Sequence, residues 1–278
     1  MSYQFDPKRM YRMPTHFGPS LGPRQGPDGR KFRNVTSPRT TAYGVSFLSN
    51  AGQLEALLPP GFALAGEPVV TVTYQYIAEI EWLAGRGYNT LGVAFPAVFK
   101  GERDQAAGEL LTVLWENMCD PIITGREELG FAKIPCELPP PRVIGGMTEL
   151  TALWQGFPFM HMHLSDMVQD PTPEPAAPPP AGELRGTLHY KYIPRTGEWG
   201  EADVAYAVLT PAYPANRRVL EAWHGQGKVE FRHARWEDMP TQYHIVNAFH
   251  ELEVREWRGA TLVRSVGAKD LGDQRILR

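Results

Sequence analysis

Lys133 is the residue in this sequence that is best placed to act as a nucleophile. It follows a predicted helix, because Asp120-Pro121 is typical of a helix start and Gly130 is typical of a helix end. Residues 131–138 are predicted to form a strand that is apolar apart from Lys133 and one glutamate. Burial among apolar neighbours disfavours the ammonium form and lowers the pKa of a lysine. A lysine that is partly neutral near neutral pH can attack a carbonyl carbon and form a Schiff base.

The pattern around Lys133 also has a plainer interpretation. Lysine is rarely fully buried, and a single lysine in a strand usually faces solvent. In that case Lys133 would be exposed or ion-paired, and the protein would be a small-molecule-binding barrel without catalytic activity. The two interpretations differ in a measurable property, because a lysine pKa near the reference value of about 10.4 favours the binding protein.

Residues 125–133 form a recognisable motif with the sequence GREELGFAK. This segment resembles the Gly-Arg-Glu-x(n)-aromatic-x-Lys motif of the acetoacetate decarboxylase family, in which the lysine forms the Schiff base. The resemblance therefore implies the same role for Lys133. Other segments that are similar to the family are residues 57–62, 74–101 and 219–225, with Phe231 and Ala234, so that the resemblance spans roughly residues 35–255.

The resemblance implies a β-rich α+β fold, in which an antiparallel β-barrel or cone carries short flanking helices. The sequence pattern agrees, since it predicts many short strands. The predicted strands are residues 41–48, 69–82, 88–99, 110–115, 149–164, 186–192, 202–210, 228–234 and 251–256. A short helix is predicted at residues 53–58, with Ser49 or Asn50 as its N-cap.

The chain is predicted to consist of an N-terminal arm, residues 1–33, and a single domain of this family, residues 34–278. The arm is basic and contains several prolines, and its aromatic residues favour contact with a neighbouring subunit over a free tail. A homo-oligomer is therefore expected, either a dimer, a tetramer or a higher assembly. Residues 171–182 form a proline-rich loop that is expected to be extended and exposed.

The sequence departs from the family pattern at three charged positions. The decarboxylases have a second lysine where this chain has Ile134, and they have glutamates at the positions of Gln75 and Thr90. Neutral hydrogen bonds from Gln75, Asn89 and Thr90 are therefore expected to orient the substrate. A family arginine before the first strand aligns with Arg39, which is expected to bind a substrate carboxylate as a bidentate pair.

Several further residues are candidates for the predicted site. Glu116 is a candidate general acid or base, since apolar surroundings would raise its pKa towards the working pH. A salt bridge from Glu116 to Arg126 or Arg142 is the alternative. The resemblance to aldolase-like relatives implies a proton-shuttle role for Tyr243. The aromatic side chains that are expected to line a pocket for a larger substrate are Tyr76, Tyr88 and Trp115.

The composition argues against several classes of protein. The 278 residues carry a formal net charge of −3, so no nucleic-acid or membrane partner is expected. Only Cys119 and Cys136 are present, and they are interpreted as free thiols in a reducing cytoplasm. No apolar run reaches the ~20 residues of a membrane span. His161 and His163 share a strand face without a third ligand at a fixed spacing, so no metal or organic cofactor is expected.

These observations favour a carbon–carbon lyase or aldolase that acts through a Lys133 Schiff base on a keto acid or another carbonyl compound. The candidate substrates include a bulky aromatic carbonyl compound. The iminium would act as an electron sink while the adjacent carbon–carbon bond breaks or forms. A β-keto acid decarboxylase with an altered substrate range is the alternative within the same chemistry. The sequence leaves retro-aldol cleavage, aldol condensation with dehydration, and decarboxylation unranked.

Overall fold

The structure is a computed structural model that describes residues 3–20, 25–171, 178–269 and 271–278. Residues 172–177, half of the predicted proline-rich loop, lie outside the described residues, as do residues 21–24 of the predicted arm. Within the described ranges the strands are β1 (Arg39–Leu48), β2 (Phe62–Leu64), β3 (Val69–Ile80), β4 (Arg86–Lys100), β5 (Gln105–Glu116), β6 (Lys133–Pro135), β7 (Arg142–Ile144), β8 (Met147–Trp154), β9 (Phe157–Asp170), β10 (Leu184–Pro194), β11 (Ala202–Pro211), β12 (Arg218–Phe231), β13 (Glu256–Val266) and β14 (Arg275–Ile276). The α-helices are α1 (Ala51–Glu55), α2 (Cys119–Thr124) and α3 (Tyr243–His250).

The strands join into one large sheet with the order β14-β11-β10-β5-β4-β3-β1-β13-β12-β9-β8-β7, while β2 pairs with β4 and β6 pairs with β5. Neighbouring strands are antiparallel except at β5, which pairs in parallel with both β6 and β10. The predicted β-rich fold with short flanking helices is confirmed. The sheet differs from a closed antiparallel barrel in two respects, because it contains parallel pairs and because β14 and β7 do not pair within the described residues.

The central strands have two faces of different character. Tyr74, Leu91 and Trp115 lie opposite one another on β3, β4 and β5, and all three are fully buried. Side chains alternate along a strand, so the next residues in register lie on the other face. We call the face of Trp115 the core face and the opposite face the site face. The core face buries an aromatic cluster in which the Trp115 ring contacts Phe159, Phe231 and Phe249.

The segment before Lys133 differs from the predicted helix at its start. Helix α2 begins at Cys119, and its N-cap residue Met118 makes no side-chain hydrogen bond, so the prediction of Asp120 as the cap was wrong. The helix continues into a π-turn, Gly125–Leu129. Gly130 ends this turn with a φ of 80°, which confirms the predicted left-handed helix end.

The strand that carries Lys133 is much shorter than predicted. Phe131 does not join the strand, because its N–H donates back to Gly125 O at the start of the π-turn, at 2.9 Å. After Pro135 the chain leaves β5 and Glu137 bridges to Leu153 instead. The three-residue strand therefore places Lys133 beside Leu114 of β5 and leaves little freedom to the backbone on either side.

The C-terminal region contains the largest error of the predicted elements. Residues 251–256 were predicted as a strand, but they lie after helix α3, and the strand of this region is β13 (Glu256–Val266). Buried Leu252 packs in the core cluster and anchors the connection between the two elements. None of the helices within the described ranges has the length and apolar character that a membrane crossing needs.

Candidate active site

Lys133 forms a buried ion pair with Glu116. Lys133 Nζ lies 2.8 Å from Glu116 Oε1, and the two side chains are 8% and 1% exposed. Lys133 Nζ also donates a hydrogen bond to Pro121 O at 3.0 Å. The parallel pairing of β6 with β5 creates this contact, because it sets Lys133 beside Leu114, two residues before Glu116. The alternative partners Arg126 and Arg142 do not pair with Glu116, and Arg126 Nη1 donates to Lys133 O at 2.8 Å instead.

The carboxyl group of Glu116 is buried beside the Lys133 amine. Burial raises its pKa, while the nearby Lys133 ammonium acts in the opposite direction. Apart from this ion pair, the buried Glu116 oxygens have no hydrogen-bond partner among the described residues. A carboxyl group with a raised pKa next to an amine can accept the ammonium proton and later return it. The geometry therefore fits the predicted role of Glu116 as a general acid or base, which remains a prediction.

Gly125 is required by the close approach of the lysine side chain. A Cβ atom at this position would lie 2.3 Å from Lys133 Cδ and 2.8 Å from Lys133 Nζ. The backbone of Gly125 is helical, so the glycine is not needed for its conformation. Its role is to let the aliphatic part of Lys133 lie directly on the π-turn.

His189 is a buried neighbour of the site that the sequence analysis missed. Its ring packs edge-on against Phe131 with centroids 4.1 Å apart, and Nε2 lies 2.7 Å from Thr210 Oγ1. Burial, together with the positive charge of Lys133, lowers the pKa of His189 to about 3. A neutral imidazole beside Phe131 adds no second positive charge near the Lys133 ammonium, which lies 5.4 Å from the Phe131 ring centroid.

His189 should make the stability of the protein depend on pH in a defined window. The unfolded state binds a proton at His189 below about pH 6.5, whereas the folded state stays neutral until about pH 3. Folding stability is therefore fully present above pH 6.5 and is lost as the pH falls, with a contribution of about 1.4 kcal/mol per pH unit. Urea unfolding of the wild type and His189→Gln between pH 8 and pH 4 should give profiles that run parallel at the high end and diverge below it. Profiles that stay parallel throughout would contradict the buried neutral histidine.

Three of the other predicted site residues lie on the site face with Glu116. Gln75 and Thr90 are in register with Glu116 across β3, β4 and β5. The Tyr88 ring centroid lies 5.9 Å from Lys133 Nζ. The predicted neutral polar positions Gln75 and Thr90 are thus brought to the same face as the Lys133–Glu116 pair.

The other predicted residues are placed elsewhere. Trp115 and Tyr76 have the register of the core face, and Trp115 Nε1 donates to Gln242 Oε1 at 2.8 Å. Asn89 also has that register, and its Nδ2 donates to Leu138 O at 2.8 Å. Neighbouring residues in a strand point to opposite faces, so these three side chains are directed away from Glu116 and Thr90. Tyr243 begins helix α3 immediately after Gln242, on the core-face side of the sheet.

Arg39 is not directed into the site. It is 59% exposed and forms a surface ion pair, with its Nε atom 3.0 Å from Glu79 Oε2. Its neighbour Thr40 lines a cavity of about 230 Å³, so Arg39 points to the opposite side of β1. Arg217, which the sequence analysis did not single out, lines this cavity together with Tyr88 and Gln75.

The remaining predicted features lie away from Lys133. His161 and His163 sit on one face of β9 with ring centroids 6.3 Å apart, and within the described ranges no three His, Cys, Asp or Glu side chains converge as metal ligands. In the predicted arm, Arg12 Nη2 lies 2.7 Å from Glu128 Oε1 of the same chain. The arm therefore contacts the π-turn before Lys133, and its contact with another subunit stays a prediction.

Comparisons with known proteins identify relatives of the whole domain. The family model described as acetoacetate decarboxylase (ADC) matches residues 12–267. None of the curated proteins compared with the sequence matches it. The enduracididine biosynthesis enzyme MppR, solved with the condensation product of pyruvate and imidazole 4-carboxaldehyde, has 16% identity and a TM-score of 0.61 over 92% of this chain and 95% of that one.

Two further solved structures are similar to the same extent. Acetoacetate decarboxylase from Legionella pneumophila subsp. pneumophila str. Philadelphia 1 has 16% identity and a TM-score of 0.59, covering 91% of this chain and 92% of its own. An acetoacetate decarboxylase-like enzyme from Sphingomonas wittichii RW1 has 17% identity and a TM-score of 0.59, with coverages of 87% and 92%. At such identities the structural matches establish a shared fold.

Proposed function

The chain belongs to the acetoacetate decarboxylase family, and we propose that Lys133 forms a Schiff base with a carbonyl substrate in order to break or form a carbon–carbon bond. The observation that carries this proposal is the burial of the ion pair between Lys133 Nζ and Glu116 Oε1, which lie 2.8 Å apart with side chains that are 8% and 1% exposed. An ion pair by itself also fits the non-catalytic barrel, so the argument depends on the burial of both groups. Burial of two opposite charges is costly, and such a pair is weak evidence for a stabilising role. A buried amine next to a carboxyl group with a raised pKa is instead what Schiff-base chemistry needs.

The first step is activation of the amine. The Lys133 ammonium transfers a proton to Glu116, which leaves a neutral amine and a neutral carboxylic acid. Transfer within the pair is favoured when water is excluded, because a buried neutral pair avoids the desolvation cost of two charges. Hydrogen bonding to Pro121 O keeps the Lys133 nitrogen in place during this step.

The second step converts the carbonyl group into an iminium. Lys133 Nζ attacks the carbonyl carbon, and a proton moves from the nitrogen to the carbonyl oxygen, which becomes the hydroxyl group of a carbinolamine. Glu116 then donates its proton to that hydroxyl group, which leaves as water while the nitrogen lone pair forms the C=N bond. The positively charged iminium next to the Glu116 carboxylate reproduces the charge pattern of the resting ion pair.

The third step uses the iminium as an electron sink. The electron pair of a bond at the adjacent carbon moves towards nitrogen, and an enamine is formed. In an aldol direction, Glu116 takes a proton from that carbon, and the enamine attacks an aldehyde whose oxygen is then protonated. In a retro-aldol direction, Glu116 takes the proton of the β-hydroxyl group as the carbon–carbon bond breaks.

We favour the aldol-type reaction over simple decarboxylation. Aldol steps require a proton-transfer group beside the nucleophile, and Glu116 occupies that position. Gln75 and Thr90 offer neutral hydrogen-bonding groups on the same face for hydroxyl or carbonyl oxygens. The MppR complex, whose ligand is a condensation product of pyruvate and an aldehyde, supports this preference by analogy within the fold.

Decarboxylation of a β-keto acid is the second candidate, because family membership itself favours it. It requires the same Lys133 iminium, after which CO₂ leaves and an enamine is formed. The Glu116 carboxylate then takes up a proton from water and passes it to the enamine carbon. The two candidate reactions differ in their products. Release of CO₂ from a β-keto acid indicates decarboxylation, whereas consumption of an added aldehyde indicates the aldol-type reaction.

Borohydride trapping tests the Schiff base directly. The protein is incubated with pyruvate, acetoacetate or an aromatic aldehyde and reduced, and the adduct is located by peptide mass mapping. We expect an adduct on Lys133 with at least one probe, and none with Lys133→Ala. Lys191→Ala is a matched control, because Lys191 is a partly buried lysine beside the same π-turn that donates to Glu127 O. Trapping that Lys133→Ala leaves intact, or no Lys133 adduct with any probe, would contradict the proposed function.

A further inference from the structure

The cavity beside Tyr88 has a cationic wall and no described acidic residue. Its lining residues on the site face of β1, β3 and β4 are Thr40, Gln75, Ile77 and Tyr88, and its other described walls include Arg217, Lys269 and Asn34. Lys269 Nζ pairs with Asp273. Arg217 is an exposed residue whose Nε donates to the neutral Ser265 Oγ at 3.1 Å, and within the described ranges no carboxylate pairs with it. An arginine that faces a cavity whose described walls carry no carboxylate attracts an anion.

The apolar walls of the cavity define the rest of the ligand. They are formed by Trp82, Ile77, Ile80 and Pro38, with the Tyr88 ring at one side. Flat aromatic and branched aliphatic walls suit a ring or a short hydrocarbon chain. The guanidinium group has a planar fork of donors that matches a carboxylate in a bidentate manner. The combination fits a carboxylate at the end of an apolar body.

Tyr88 connects this cavity with the Schiff-base lysine. The same ring lines the cavity and lies with its centroid 5.9 Å from Lys133 Nζ. Gln75, another lining residue, is in register with Thr90 and Glu116. A molecule bound at both places would run along the site face from Lys133, past Tyr88, to Arg217.

We propose that Arg217 binds a carboxylate at the far end of the substrate, so that the substrate is an oxo compound whose acidic group is separated from the reacting carbonyl by a ring or a short chain. This inference rests on the proposed function for the carbonyl end, and it assigns the carboxylate end independently. It replaces Arg39, which pairs with Glu79 and points to the opposite side of β1, as the residue that selects an acidic substrate. Pyruvate and acetoacetate, whose carboxylates lie next to or one carbon from the carbonyl, are too short to use this site.

Two aldehydes of the same shape test the assignment. 4-Carboxybenzaldehyde and 4-methylbenzaldehyde are trapped on Lys133 with borohydride over a range of concentrations. In the wild type, 4-carboxybenzaldehyde should reach half-maximal trapping at a concentration at least about tenfold lower than 4-methylbenzaldehyde does, as expected for hydrogen bonds to a charged group. Arg217→Met should abolish this preference and leave trapping of 4-methylbenzaldehyde unchanged. Arg217→Lys should keep part of the preference for the carboxylate probe, and the control Arg39→Met should keep the whole preference.

A binding measurement separates failure of this inference from failure of the proposed function. Calorimetric titration with benzoate needs no Schiff base, so it is carried out on the wild type, Lys133→Ala and Arg217→Met. Benzoate binding by the first two proteins, with at least tenfold weaker binding by Arg217→Met, supports the anion site even if no Lys133 adduct ever forms. Equal binding by Arg217→Met, or no binding by the wild type, overturns the assignment. Far-ultraviolet circular dichroism establishes that the compared variants are folded.

Discussion

Replacing Glu116 with glutamine is expected to slow formation of the Lys133 adduct and any turnover by about 10²- to 10⁴-fold, the usual contribution of a general acid–base group. Glutamine has nearly the same shape, so it preserves the packing of a side chain that is 1% exposed. It removes the oxygen that accepts the ammonium proton and the acid that protonates the departing hydroxyl group. Both losses act on the rate of iminium formation, which single-turnover borohydride quenching measures directly.

The pH dependence of this variant distinguishes catalysis from a structural role. Removal of an opposite charge from beside an ammonium lowers the pKa of the amine. In Glu116→Gln, the acid limb of the rate profile should therefore move to lower pH while the maximal rate falls. A variant that merely disturbed packing would lower the rate without moving that limb.

Glu109→Gln supplies the control, because Glu109 lies on the same strand and burial also raises its pKa. Its rate and its pH profile should match those of the wild type. If Glu116→Gln keeps a wild-type rate, or if Glu109→Gln loses as much, then Glu116 does not act as the proton-transfer group.

The part of this site that the sequence could predict is the part set by local contacts. Gly130 ends the π-turn because glycine adopts a positive φ without strain, and this preference is visible in the sequence. Tyr74 and Tyr76 lie on one face of β3, and this placement follows from the alternation of side chains along any strand. The position of Lys133 directly after this turn follows from the same local pattern.

The partners across the sheet could not be predicted, because they depend on long-range pairing. Glu116 was expected to meet Arg126 or Arg142, but the parallel pairing of β5 with β6 brings it to Lys133. Alternation also does not tell which face of a strand is the site face. Trp115 and Glu116 are neighbours in sequence, and only the assembled sheet shows that Trp115 faces the aromatic core.

Arg217 illustrates the same limit more strongly. It lies just before β12, more than a hundred residues from Gln75 and Tyr88, and its local sequence differs little from that of other arginine-containing loops. Its place in the cavity depends on the order β3-β1-β13-β12, which brings the start of β12 close to the start of β1, because Val266 of β13 is in register with both Arg218 and Arg39. Residue type and spacing along the chain carry no information about this juxtaposition.

Lys133→Met is expected to lower the free energy of unfolding by about 3–5 kcal/mol near pH 8, which is the usual cost of removing one partner from a buried ion pair. The variant leaves the Glu116 carboxylate buried without the cation that lies 2.8 Å away in the wild type. Burial raises the pKa of Glu116, and Lys133 is the described group that opposes this effect in the wild type. At low pH the Glu116 carboxyl group of the variant is therefore neutral, and its burial costs little. The free energy of unfolding of the variant falls as the pH rises through the folded-state pKa of Glu116. Urea unfolding of the variant near pH 5 and pH 8 measures this difference.

A second replacement, made in the Lys133→Met variant, tests whether the ion pair stabilises the fold or serves the chemistry. Lys133→Met combined with Glu116→Leu fills the site with apolar groups of similar size, and such replacements are often neutral or stabilising. The double variant should thus recover most of the stability that Lys133→Met loses, with a coupling energy that the double-mutant cycle reports. Single variants that each cost less than about 1 kcal/mol would mean that the pair behaves as a surface salt bridge. A double variant that is as stable as the wild type and forms no adduct would mean that chemistry, rather than stability, accounts for two charged groups in this interior.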